Sequence, residues 1–243
     1  MADWDYTTDA VIVGSGGGGL CAAVVARSRG LDALVLEKTE FVGGSTAMSG
    51  GGVWIPNNPV MLASGVRDSE EDALAYFNAI VGDVGPASSP ERRRAYVEQG
   101  PRLIAFLQDQ GIDFQFADGY SDYYTDAPGA NEHGRTLEAV PFDAHELGPW
   151  EPKLRPGAST GLGLIGLSTE LTLMSYYNRS LRRSLIGAKV LGRTLAGKVQ
   201  GKALVGNGAA LVGRLLRLAL ERGAEVWTET PLRELIVEHG AVV

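Results

Sequence analysis

Gly14, Gly16 and Gly19 stand in GxGxxG spacing directly after the apolar run Ala10, Val11, Ile12 and Val13, and Glu37 follows about twenty residues later. That set can hold a dinucleotide. Gly14 makes a tight turn, Gly16 lets the backbone approach a pyrophosphate, and Gly19 lets a helix pack closely on a strand. The N–H groups at the start of that helix favour phosphate, and a carboxylate at Glu37 can accept hydrogen bonds from an unphosphorylated ribose diol. Ser15 and Gly18 lie in the same loop, and Lys38 follows the acid. A second glycine loop, Val42 to Trp54, comes next. Its Gly43, Gly44, Gly50, Gly51 and Gly52 permit close approach to a flat ring system, and Ser45, Thr46 and Ser49 offer hydroxyls to its polar edge.

The elements that position these residues are a buried parallel strand at Ala10 to Val13, a helix from Leu20 to Arg29 closed by Gly30, and a strand from Ala33 to Leu36. Further on, Ser69 is expected to cap a helix over Glu70 to Ile80 with Asp72 at its third position, and Ser89-Pro90 to open another. Gly100-Pro101 is expected to break that second helix before Arg102 to Gln110, and Arg92, Arg93 and Arg94 near its start to meet acidic neighbours. Ala224 to Trp227 reads as a strand, Pro231 and Leu232 begin another piece, and Gly240 sits at a hairpin-type turn.

Gly14 to Gly19, Glu37-Lys38 and Gly43-Gly44-Ser45-Thr46 resemble the flavoprotein family of fumarate reductase, succinate dehydrogenase and 3-ketosteroid dehydrogenases. The resemblance implies FAD. Where membrane-bound succinate dehydrogenases carry a flavin-linking histidine, this chain has Ala47 and Met48 after Ser45 and Thr46, which implies non-covalent FAD. Leu232 joins Gly14, Ser15, Gly16, Gly18, Gly19, Glu37, Lys38, Gly43, Gly44, Ser45, Thr46, Ser49, Gly50 and Gly51 as the expected cofactor contacts.

Gly119 to Ala130 and Gly134 to Gly148 look like the region of 3-ketosteroid Δ1-dehydrogenases in which a tyrosine lines the steroid pocket. Tyr123 is the best match, followed by Tyr124 and then Tyr120. Gly201 to Leu216 is similar to the run where the chain of those enzymes returns to the FAD domain. The implied reaction removes a hydride and a proton from adjacent carbons beside a ketone, with a tyrosine as base. A phenol, with a pKa near ~10, needs hydrogen bonding or a nearby charge to serve as one. The implied partners are a steroid-like hydrophobic molecule and an electron acceptor that the sequence leaves open. In that family the chain continues well beyond this length, which implies a fragment, a truncated reading frame, or a subunit completed by a second chain.

The fold expected is an α/β Rossmann-like FAD domain formed by residues 1–59 and 201–243, incomplete at its C-terminal side, with residues 60–200 an inserted, mainly helical cap or substrate region. Two alternatives stand beside the dehydrogenase: a fumarate reductase-like flavoprotein acting on an unsaturated carboxylate, and a non-catalytic FAD-binding fragment or half of a split enzyme. The first needs arginine or histidine clamps on carboxylates, fewer of which are seen here than aromatic and aliphatic groups.

The 243 residues carry a net charge of −7, one cysteine and no apolar run long enough to span a membrane. A cytoplasmic setting is expected, because the acidic start MADWDYTTDA lacks the pattern of a secretory signal. Cys21 reads as a small buried hydrophobe, and His133, His145 and His239 show no metal-ligand spacing. His133 and Arg135 lie within reach of a substrate region but read as loop residues. From Leu171 to Leu220 there is no acidic residue, while Arg179, Arg182, Arg183, Lys189, Arg193, Lys198, Lys202, Arg214 and Arg217 are present. Leu167, Leu171, Met174, Leu181 and Leu185 suit an amphipathic helix packed on the substrate region, which is preferred to a peripheral contact with anionic lipid. No nucleic-acid motif accompanies the charge, so no nucleic-acid partner is expected.

Overall fold

The computed structural model describes residues 5–157, 163–174, 176, 180–238 and 241–242. Strand β1 (Ala10–Val13), helix α1 (Gly17–Ser28), strand β2 (Ala33–Leu36) and the short helix α2 (Gly44–Met48) come first. Strand β3 (Gly52–Trp54), helices α3 (Pro59–Ala63), α4 (Glu70–Val81) and α5 (Pro90–Asp109), and strands β4 (Phe114–Phe116) and β5 (Thr136–Ala139) follow. After β6 (Phe142–Asp143) and a 3-10 stretch, Ala144–Lys153, come α6 (Ser168–Met174), α7 (Leu181–Val199), β7 (Leu204–Val205), α8 (Asn207–Glu221) and β8 (Glu225–Trp227). Strands β9 (Val237–Glu238) and β10 (Ala241–Val242) pair antiparallel; Gly240 and His239 between them lie outside the described residues.

Two compact units result: Met1–Ser49, Phe142–Ile165 and Thr194–Val243 form the first, and Gly50–Pro141 and Gly166–Arg193 the second. Residues 142–165 thus cluster with the glycine-loop unit, inside the span that the sequence reading gave to the insertion. Helix α7 runs unbroken through the boundary at Arg193 and Thr194.

In the first unit β2 is the central strand of a parallel sheet in the order β1-β2-β8, with Ala10 paired to Ala33 and Leu34 to Glu225. Ala33, Leu34 and Val35 are buried, as a central parallel strand requires. Strand β1 departs from the expected full burial: Val11 and Val13 are 54% and 55% exposed. Val11 and Val13 alternate along the strand and so share one face, which is left uncovered, while Ala10 and Ile12 on the other are partly buried. Helix α1 begins earlier than expected, at Gly17, and turns Leu20, Ala23 and Val24 inward. Helix α8 buries ten of its fifteen residues and packs against α1 and α2. Cys21 is half-buried in α1, and burial pushes its thiol up to about 11, which keeps it protonated and inert.

The second unit is mainly helical, as expected, with α3, α4, α5, α6 and the first part of α7 in it, but the sequence reading missed its sheet. It holds an antiparallel sheet in the order β3-β5-β4 around a core of Ile55, Met61, Ile104, Phe116 and Leu137. Strands of three or four residues between loops carry too few alternations to show in a sequence. Ser69 caps α4 as expected: its Oγ accepts from the Asp72 N–H at 3.0 Å and donates to Asp72 Oδ2 at 2.7 Å.

Three expectations fail here for identifiable reasons. Pro101 does not break its helix; α5 is continuous over twenty residues. Gly100 has no Cβ to meet the proline ring, and it seats against Ile55, where a Cβ would come within 2.9 Å of Cγ2. Val97 and Ile104, buried on either side, hold the two halves in line. Arg93 meets neutral oxygens in place of acids: it donates to the Ser88 carbonyl at 3.0 Å, to Asn78 Oδ1 at 3.1 Å and to the Gly82 carbonyl. The third concerns Leu167 to Leu185, which span two helices, α6 and α7: Leu167 is buried, while Leu181 and Leu185 are 78% and 62% exposed. Periodicity reveals a stripe but not which side of it is covered.

Candidate functional site

The first unit brings the two glycine loops together. Gly14 leaves β1 at φ +95°, a conformation that a side chain would strain, and its N–H donates to the Leu36 carbonyl at 2.8 Å. A Cβ on Gly19 would lie 2.0 Å from the Gly14 carbonyl oxygen, so only glycine lets α1 approach the strand this closely. Gly16 stands at the helix N-cap with no capping side chain, and the first turn holds no acid. From the second loop the Thr46 hydroxyl accepts from the Gly17 N–H at 3.1 Å, and a Cβ on Gly44 would be 3.7 Å from Gly16 Cα.

Glu37 is buried at the end of β2 with both oxygens engaged. Oε2 accepts from the Ser15 N–H at 3.2 Å and the Ser15 hydroxyl at 2.5 Å; Oε1 faces the Thr39 N–H at 2.9 Å and hydroxyl at 3.0 Å. Burial pushes the carboxyl up, but these hydrogen bonds outweigh it and hold Glu37 below the usual carboxylate range. Ser15 also accepts from the Gly43 N–H at 3.1 Å, tying the loops together. Arg155 donates to Thr39 Oγ1 at 2.8 Å and lies over the Phe41 ring. Gly18, Lys38, Ser45 and Ser49 lie in this unit as well, and Leu232 is 40% exposed in the segment after β8, whereas Gly50 and Gly51 open the second unit.

In the second unit Tyr120, Tyr123 and Tyr124 lie on the loop between β4 and β5, with exposures of 40%, 86% and 63%. The Tyr120 and Tyr123 hydroxyls are 3.4 Å apart, their rings edge to face at 6.5 Å. Hydrogen bonding to Tyr123, then burial, raise the Tyr120 phenol above its ordinary value. Tyr124 is held by its backbone, which donates to Tyr76 Oη at 3.2 Å.

Arg135 anchors this loop. It is 1% exposed, makes a bidentate pair with Asp68 at 2.8 and 2.7 Å, and donates to Asp122 at 2.6 Å and to the Gly129 carbonyl at 2.8 Å. Trp54 and Tyr76 each present a ring 5.7 Å from its guanidinium carbon. Asp122 also accepts from Trp54 Nε1 at 2.7 Å and the Asn131 N–H at 3.0 Å. Arg135 is therefore a loop residue, as expected, but one that serves as a buried hub directly before β5. His133 is exposed, 3.7 Å from Asp118. Beside Tyr120 a cleft of about 480 Å³ is lined by Asp118, Thr169, Thr172, Arg182 and Arg183. Beneath it Glu138 is buried and accepts from the Thr169 N–H at 3.1 Å and from its hydroxyl; burial, more than anything else, raises its carboxyl.

Residues 9–243 match the family model for an FAD binding domain. The chain belongs to that FAD-binding family. It is homologous to the 3-oxosteroid 1-dehydrogenase of Mycobacterium tuberculosis H37Rv, with 43% identity over 237 residues, 96% of this chain and 41% of the relative. The 4-oxocyclohexanecarboxylate 2-dehydrogenase of Sinomonas cyclohexanicum is 33% identical, over 95% of this chain and 37% of that protein. The crystal structure of 3-ketosteroid Δ1-dehydrogenase from Sterolibacterium denitrificans, in complex with 1,4-androstadiene-3,17-dione, superposes with a TM-score of 0.82 at 32% identity, over 97% of this chain and 45% of that one. The chain spans about two fifths of the length of these relatives.

The residues of the first unit fit FAD held without a covalent link, since Ala47 and Met48, not a histidine, follow Thr46. Two glycine loops meet at a helix start whose N-cap, Gly16, has no side chain, and Asn207 Oδ1 at the head of α8 is buried with no hydrogen-bond partner among the described residues. Thr39, Arg155 and Asn207 were not singled out from the sequence, and neither were Asp68, Asp122 and Glu138; none belongs to a spaced motif. No described group of His, Cys, Asp or Glu is placed to hold a metal ion, and no described helix is long and apolar enough to cross a membrane.

Proposed function

We propose that this chain forms the FAD site and part of the substrate site of an FAD-dependent dehydrogenase that introduces a double bond next to the ketone of a 3-ketosteroid. The 43% identity to a 3-oxosteroid 1-dehydrogenase over 96% of the chain carries this reading. When bound, FAD supplies the acceptor for the hydride. Gly14, Ser15, Gly16, Gly18 and Gly19 hold its pyrophosphate at the start of α1 and Glu37-Lys38 its ribose, while Gly43 to Thr46, Ser49, Gly50, Gly51 and Leu232 flank the ring system.

Tyr123 takes the proton from the carbon beside the ketone. The Tyr120 hydroxyl lies 3.4 Å from the Tyr123 hydroxyl, and this contact, then burial, raises the Tyr120 phenol and keeps it protonated beside the base. Tyr124, next along the loop, borders the substrate. Residues 60–141 and 166–193 supply most of the substrate side, and the first unit is the cofactor domain.

A second substrate class is favoured by Arg182 and Arg183 beside Tyr120. Two guanidinium groups lining that cleft suit a cyclic ketone that carries a carboxylate. Anaerobic titration of the FAD-loaded protein separates the classes. Bleaching of the flavin bands by a neutral 3-ketosteroid supports the first, bleaching by a cyclic keto acid alone supports the second, and bleaching by neither overturns both. Tyr123→Phe is expected to abolish bleaching while leaving FAD bound.

A further inference from the structure

Helix α7 carries an apolar face turned entirely outward. Leu181, Leu185, Leu191, Leu195 and Val199 are 78%, 62%, 50%, 61% and 88% exposed. At ~100° per residue these five fall within an arc of about 120° on one side of the helix. The opposite side, where Gly187, Val190, Thr194 and Gly197 lie, is buried. The helix therefore seats on its small residues and shows its bulky aliphatic ones to the surroundings, the reverse of a helix packed into a core.

The charges around that face have one sign. Arg182 and Lys189 border it on one edge and Lys198 on the other, with Lys202 just beyond the helix end. Between Leu171 and Leu220 the sequence has no acid. The acids that reach α7 come from elsewhere: Glu170 pairs with Lys189 at 2.9 Å and Arg193 at 2.7 Å, and Asp118 lies 4.0 Å from Arg182. Two copies of this chain meeting through the stripe would bring basic edges against basic edges. A surface of anionic headgroups over an apolar layer complements both features.

We propose that α7 lies flat in the interfacial layer of an anionic membrane, with Leu181, Leu185, Leu191, Leu195 and Val199 in the acyl boundary and Lys198 and Lys202 at the lipid phosphates. Its nineteen residues include five basic ones, which suits lying on a bilayer and not crossing it. The inference is independent of the reaction assigned above, because it needs neither cofactor nor substrate.

Vesicle flotation tests it, using the whole chain with phosphatidylcholine vesicles and with vesicles that also contain phosphatidylglycerol. The chain is expected to float with the anionic vesicles and to stay behind with the zwitterionic ones. Leu185→Glu with Leu195→Glu should lower the bound fraction at least ~10-fold, with an unchanged circular dichroism spectrum because both sites are exposed. Lys198→Ala should weaken binding about fivefold, an effect erased at high salt. Failure of the wild-type chain to float, or unchanged flotation of the double glutamate variant, overturns the proposal. Loss of self-association in that variant without any vesicle binding overturns it in favour of a second copy.

Discussion

The two loops proposed to carry the chemistry are held in opposite ways. Around Glu37 the partners are near neighbours on adjoining turns, and the groups that would touch a cofactor are themselves the hydrogen-bonded ones. The tyrosine loop exposes its phenols and is fixed by a buried charge cluster that their hydroxyls do not touch. The comparison teaches that a site can be built from its contact residues or from an anchor beneath them, and that mutations should separate the two cases.

Arg135→Met tests the anchor most severely, because it leaves Asp68 and Asp122 buried without their cation. A loss of about 4 kcal/mol in unfolding free energy is expected by denaturant titration, with FAD content retained in the folded fraction. Gly19→Ala tests the contact-built site. Its Cβ has no room beside the Gly14 carbonyl, so a loss of about 3 kcal/mol together with loss of bound flavin absorbance is expected.

A third test uses pH. Burial raises the Glu170 carboxyl, but Arg193, Lys189 and the Leu167 N–H outweigh it and hold it down to about 2. Its stabilisation is present in full above the unfolded value near ~4.5 and is lost as pH falls through the folded value. Glu170→Gln should therefore cost about 2 kcal/mol near neutrality, allowing for solvent screening, and progressively less as the pH falls toward 2. The smallest effect belongs to Ser69→Ala, which removes the cap of α4 and should cost about 1 kcal/mol by thermal unfolding without altering flavin or loop.

The same division decides what could be read from the sequence. β1, α1, β2 and Glu37 were legible because a glycine spacing, an apolar run and an acid all act within 28 residues. The Arg135 anchor was not, since its partner Asp68 is 67 positions away and neither residue belongs to a spaced motif. Pro101 was misread because its helix is kept straight by Gly100 against Ile55, a contact between distant residues. Leu181 and Leu185 formed a visible stripe, yet only the structure shows that it faces outward.

The saturation of Glu37 has a consequence for the protein without its cofactor. An empty dinucleotide site often leaves a buried acid seeking a partner, and the site then collapses or the fold loosens. Here Ser15 and Thr39 satisfy the carboxylate within the chain. The chain itself therefore holds this charge, and a ribose bound here as proposed would exchange one set of hydrogen bonds for another. Flavin stripped from the protein is therefore expected to rebind without refolding of this loop, which recovery of flavin absorbance on adding FAD checks.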